Sequence, residues 1–242
     1  MVHYRLLVGA DYLNIRGERP RGYSGGKSTG GRPWMERVET ITVIGAGAMG
    51  RTVAYAAARA KYRTLLEDLS GQAMEGALEA IRRTAQEEVA AGRLSPEEAG
   101  ELLARLEPET AIDRAAGEAD WIIEAAPDDL ETKVEVYTRI DRAARPACLF
   151  AATSSTLSIS EIASLTYRAP QVLGMRFPHP IHAAGRLELV QGLETSEATL
   201  AAAEQVGRRM SMKIVHVADF PGLIGSRGDL KTGRLGRSTG QR

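Results

Sequence analysis

The chain has 242 residues, with 31 Lys+Arg against 31 Asp+Glu, so its formal net charge is zero; this argues against a nucleic-acid binder held by bulk electrostatics. Apolar residues at 43% and charged residues at 26% place it among ordinary globular chains, and no apolar run approaches the roughly 18 residues of a membrane span. Its one cysteine, Cys148, excludes an internal disulfide and any multi-cysteine zinc site, so a reducing, cytoplasmic setting is the expectation.

The charge is unevenly spread. Residues 1–34 carry +4 and residues 228–242 carry +3, which leaves −7 for the middle. Both ends are Gly-rich with little apolar periodicity, and Gly22–Gly31 reads as linker. We expect residues 1–35 to be a disordered extension, 36–227 the folded unit, and 228–242 a disordered tail. Asp11 breaks the short apolar stretch after Arg5, against a secretory signal. A transit peptide, or an over-extended start with Met35 as the initiator, remain open readings of the head.

Thr40–Ile44 is β-branched and apolar and ends in glycines, so it reads as a buried strand. An Ala-rich helix follows over 48–60, then a strand at Thr64–Leu66. Residues 71–91 and 95–106 read as amphipathic helices, the second with Ser95 as N-cap and Pro96 in the first turn. Trp121–Ile123 reads as a strand, 128–144 as a helix, Leu149–Ala151 as a strand and Ser158–Leu165 as a helix. The strands Gln171–Met175 and Leu187–Val190, a helix over 196–211 and a strand at Lys213–Val217 complete the series. Strands alternating with helices predict an α/β fold with a doubly wound, mostly parallel sheet. Cys148 opens an apolar strand and reads as a packing residue.

Gly45-Ala46-Gly47-Ala48-Met49-Gly50 is a G-x-G-x-x-G between a predicted strand and a predicted helix, the context a dinucleotide site needs. Gly45 permits the tight turn, Gly47 lets the backbone approach a pyrophosphate, and Gly50 lets helix and strand pack closely. The helix start, through Ala48 and Met49, offers amides and a positive dipole end to phosphate. Asp68 closes the second strand, 18 residues on. An acid there accepts from a ribose 2′-hydroxyl and repels a 2′-phosphate, which favours NAD over NADP.

Together with Asp68-Leu69-Ser70, Ile123–Pro127, Lys133, Ser154–Ile159, Leu173–Pro180, Leu187–Val190 and Asp219–Arg227, this motif makes the chain resemble the NAD-binding domain of the L-3-hydroxyacyl-CoA dehydrogenases over residues 40–227. The resemblance implies a Rossmann-type domain that binds NAD and an acyl-CoA and oxidises the 3-hydroxyl of the substrate. It places Asp68, Asp128 (where the family usually has Glu) and Lys133 on the cofactor, and Ser155 on the substrate oxygen. It makes Glu188 the acid that orients the catalytic histidine.

Three further positions depart from the family's pattern. The catalytic histidine falls on Arg176, and the substrate-contacting asparagines fall on His179 and Ser226. Arginine stays protonated, so Arg176 cannot act as a general base. We expect it to pair with Glu188 instead, leaving His179 as a candidate substitute base. No third ligand accompanies His179 and His182, so no metal is expected. The family's helical second domain has no counterpart in this sequence, so the chain reads as truncated, with apolar surface left bare. A homodimer, or a partner chain supplying that domain, is an expectation on the same ground. Three functions follow: a hydroxyacyl-CoA dehydrogenase of low turnover, a non-catalytic NAD-binding module, or a dehydrogenase of another β-hydroxy acid whose carboxylate binds Arg176.

Overall fold

The computed structural model describes residues 38–178 and 185–219. The expected terminal extensions lie outside the described residues. Strand β1 (Thr40–Ile44) is buried at every position, because helices cover both faces of the sheet and no polar alternation is needed. Helix α1 (Ala48–Arg59) presents Ala54, Ala56, Ala57 and Ala58 to the sheet, and their small size lets the helix lie close to it. Then come β2 (Arg63–Glu67) and α2 (Gly71–Ala90), which is capped by Ser70. Helix α3 (Pro96–Ala104) starts with the expected Ser95 cap, and Glu98 closes a reciprocal capping box.

Two elements were not anticipated. Strand β3 (Leu106–Glu109) contains Pro108 and pairs, among the described residues, only with β2, an edge position where a missing amide is tolerated. Helix α4 (Ile112–Glu118) is only seven residues long. The remaining elements follow expectation to within a few residues: β4 (Trp121–Glu124), α5 (Leu130–Ala143), β5 (Leu149–Ala152), α6 (Ile159–Ala163), β6 (Val172–Arg176), β7 (Arg186–Gln191), α7 (Glu197–Arg209) and β8 (Lys213–Ala218).

The eight strands form one sheet in the order β3-β2-β1-β4-β5-β6-β7-β8. All neighbours are parallel except β6 and β7. One core layer packs α1, α2, α3 and α7 on the sheet through Val53, Met74, Ile81, Leu102 and Val206. The other packs α4, α5 and α6 through Ile112, Tyr137, Ile140, Ile159 and Ile162. The chain runs outward from β1 through β2 to β3, then returns to β4 on the far side of β1. That reversal opens a crevice at the carboxyl ends of β1 and β4, the usual ligand position in open α/β sheets.

Cys148 is 1% exposed, and burial pushes its thiol up to about 12. It is a packing residue without thiolate character at neutral pH.

Candidate active site

The glycine turn between β1 and α1 forms one wall of the crevice. Gly45 has φ +99°, and a Cβ there would stand 2.8 Å from the Ala125 carbonyl oxygen across the crevice. A Cβ on Gly50 would stand 1.7 Å from the Gly45 carbonyl oxygen. A Cβ on Gly47, by contrast, meets nothing within 4 Å. This is open space directly in front of the first turn of α1, where Ala48, Met49 and Gly50 lie. No side chain caps that turn, and its amides have no intrahelical acceptor. The arrangement fits a dinucleotide pyrophosphate.

Asp68 closes β2 beside this turn. Its Oδ2 accepts from the Ala46 amide at 2.8 Å and its Oδ1 from the Ser70 amide at 2.8 Å. The acid thereby holds the turn and the start of α2 together, and each oxygen keeps a lone pair for a ribose hydroxyl.

The preceding residue, Glu67, is 2% exposed, and its Oε1 has no hydrogen-bond partner. Burial, then the charges of Asp68, Glu109 and Asp113, push its carboxyl up to about 7 against the opposing pull of Arg139. Between its unfolded value near 4.5 and about 7 the folded chain therefore holds a proton that the unfolded chain has released. Stability is expected to fall by about 3 kcal/mol as pH rises through that window, then to level off. Glu67→Gln is expected to remove this fall. Urea unfolding of both proteins across the window checks it, and an equal slope for the two would refute it.

The opposite wall is the segment between β4 and α5. Lys133 and Glu124 are both fully buried and lie 2.7 Å apart. Glu124 Oε1 also accepts from the Ala126 amide at 2.7 Å, while Lys133 Nζ donates to the Ala126 carbonyl at 3.1 Å. Both backbone groups of Ala126 are thus fixed by one buried ion pair. Burial pushes the Glu124 carboxyl up, and Lys133 opposes that. The sequence reading placed Lys133 on the cofactor; the ammonium points into this buried pair.

Asp128 ties this wall to the next loop. Its Oδ2 accepts from the amides of Ser155 (3.1 Å) and Thr156 (3.2 Å) and from the Thr156 hydroxyl (2.9 Å). The Ser155 hydroxyl stands at 3.5 Å, and Lys133 Nζ lies 4.0 Å from Oδ1. Burial alone would raise the Asp128 carboxyl, but bonds from Ser154, Ser155 and Thr156, with the Lys133 charge, bring it below the usual range. Asp128 stays outside α5, whose cap is Asp129, and that position lets it reach across.

Arg176 ends β6 and stands opposite Glu188 of β7 in the strand register. The expected ion pair between them is not formed. Arg176 Nε donates to the Ser154 carbonyl at 2.9 Å, which draws the guanidinium toward the β5–α6 loop and away from β7. His179, His182 and Ser226 lie outside the described residues. Among the described residues no cluster of three His, Cys, Asp or Glu side chains is arranged for a metal ion.

Two functional supports carried no assigned role in the sequence reading. Glu124 is the acid that ends an otherwise apolar strand. Asp219 accepts from Ser158 Oγ, the Ile159 amide, and the Ser160 amide and hydroxyl, all within 2.9 Å, and so caps α6. Both belong to motifs that carry the family resemblance, and for Glu124 an acid closing an apolar run was the available signal.

A second cavity of about 760 Å³ lies at the other end of the sheet, between Thr40, Arg63, Asp120 and Arg145. Its cations are already committed, Arg63 to Glu107 and Glu118, and Arg145 to Asp120.

Comparison with known proteins agrees with this geometry. The family model for the 3-hydroxyacyl-CoA dehydrogenase NAD-binding domain matches residues 40–220. A probable 3-hydroxybutyryl-CoA dehydrogenase of Bacillus subtilis is 30% identical over 190 residues, covering 78% of this chain and 66% of the relative. The 3-hydroxyadipyl-CoA dehydrogenase of Escherichia coli is 31% identical, with 80% and 40% covered. The crystal structure of (S)-3-hydroxybutyryl-CoA dehydrogenase from Ralstonia eutropha superposes with a TM-score of 0.74 at 28% identity, over 77% of this chain and 65% of that one. The chain thus spans at most about two thirds of the length of these relatives. With the glycine turn, the acid after β2 and the sheet order in agreement, residues 40–220 place this chain in the 3-hydroxyacyl-CoA dehydrogenase family, as its NAD-binding domain.

Proposed function

We propose that the chain binds NAD(H) in the crevice between β1 and β4 and acts on 3-hydroxyacyl-CoA in fatty acid metabolism, giving the 3-oxoacyl-CoA at low turnover. The observation that carries the cofactor half is the open space before Gly47 at an uncapped helix start. Bound NAD would supply the hydride acceptor. Asp68, which already orders the turn, favours the 2′-hydroxyl form over the phosphorylated one. On this reading Asp128 serves the cofactor and Ser155 the substrate oxygen, as the family resemblance implies.

Low turnover follows from Arg176. A guanidinium does not accept a proton near neutral pH, so the step that charges a histidine in the family has no acceptor at this position. Glu188 lies in register beside it, without the imidazole it would orient. A cofactor-binding module without turnover is the second reading, and the same Arg176 favours it.

The test is NADH binding by fluorescence, followed by NADH oxidation with acetoacetyl-CoA. We expect binding and a slow rate, with Arg176→His raising the rate by ~10²-fold, the scale of general acid–base catalysis. A folded chain that does not bind NADH overturns the proposal. A folded, NADH-binding Arg176→His with no gain selects the non-catalytic reading.

A further inference from the structure

Arg176 is a partly buried cation with an unfinished set of partners. Its Nε is engaged by the Ser154 carbonyl at 2.9 Å, which fixes the plane of the guanidinium. Its two terminal nitrogens have no hydrogen-bond or ion-pair partner among the described residues. The two carboxylates that bond the β5–α6 segment are held by it. Asp128 is held by Ser155, Thr156 and Lys133, and Asp219 by Ser158, Ile159 and Ser160. Glu188 faces it in register and does not pair with it.

A guanidinium anchored through Nε presents its remaining N–H groups as a planar fork, and a planar two-oxygen anion matches that fork better than a single oxygen does. The fork sits apart from the phosphate site. β6 is three strands from β1 in the sheet, ~14 Å at the usual strand spacing. An anion on Arg176 is therefore a separate group from a pyrophosphate at the glycine turn.

We infer that Arg176 is the carboxylate-binding residue of this cleft, and that the ligand it selects is a small 3-hydroxy or 3-oxo acid with a free carboxylate in place of a CoA thioester. The inference rests on the NAD(H)-binding half of the reading above and replaces its CoA thioester with a free acid as the preferred substrate.

The experiment is calorimetric titration of the whole chain with acetoacetate and with its neutral analogue acetoacetamide, each with and without saturating NADH. Acetoacetate is expected to bind at least ~10-fold more tightly, the scale of one charge-assisted contact. Arg176→Met is expected to abolish the preference and Arg176→Lys to keep part of it. Circular dichroism establishes that each variant is folded, and Arg176→Gln replaces the Met variant if that one does not fold. Equal affinity for the two ligands, a preference that survives in the neutral variant, or inorganic sulfate binding as tightly as acetoacetate overturns the inference. NADH binding without carboxylate preference overturns this inference alone. Carboxylate preference without NADH binding overturns the dehydrogenase reading and keeps Arg176 as an anion site.

Discussion

Gly47→Ala is expected to leave the fold intact and to weaken NADH binding by ~10²-fold, whereas Gly50→Ala, three residues later, is expected to destabilise the fold itself. The two substitutions add the same methyl group. At Gly47 it enters space that contains no protein atom within 4 Å, and the backbone there is extended, with φ −67° and ψ −171°. The folded state loses at most ~1 kcal/mol from a poorer helix cap, and the cost falls on whatever must approach the turn. At Gly50 the methyl stands 1.7 Å from the Gly45 carbonyl oxygen, a backbone atom that cannot rotate away. Either β1 and α1 separate or the turn rearranges, at a cost of ~3 kcal/mol or more. Thermal melting and NADH fluorescence titration of the two variants separate the effects. Normal NADH affinity in a folded Gly47→Ala would remove the glycine turn from the cofactor site.

The second large effect is expected at Lys133. Lys133→Met leaves Glu124 without its counter-ion at a site with no solvent access, and stranding one member of a buried pair costs about 3–5 kcal/mol. Burial already pushes the Glu124 carboxyl up, so the variant's native state is expected to take up a proton and to lose further stability as pH rises. Adding Glu124→Gln is expected to recover most of the loss, since the amide carbonyl still accepts from the Ala126 amide. A double-mutant cycle in urea measures the coupling, and strictly additive losses would show that the pair does not hold the wall as a unit.

Much of this molecule was legible before its structure. The mostly parallel α/β sheet followed from strands alternating with helices, and the dinucleotide-type turn followed from glycines placed between a β-branched run and an Ala-rich one. What escaped was local. Strand β3 was hidden because Leu106-Glu107-Pro108-Glu109 has neither alternation nor an apolar run. It is a strand only because the exposed side of β2 offers it a partner. The pairing expected between Arg176 and Glu188 was sound as to register and wrong as to contact. Sequence distance cannot show that the Ser154 carbonyl, 22 residues earlier, competes for the same guanidinium. Lys133 illustrates the same limit. Its motif implied a cofactor contact, while its depth and its hold on Ala126 depend on how α5 packs against β4.

The two rims of the sheet differ in how they meet another backbone. At the β3 rim, Pro108 removes a donor from the outermost row of amides, and the strand is only four residues long. At the opposite rim, β8 runs six residues without a proline and pairs, among the described residues, with β7 alone. Edge strands of that kind are templates for strand addition, and interruption by proline is a common way of blunting them. Among the described residues, templated aggregation therefore has one receptive side, and solubility engineering belongs on β8.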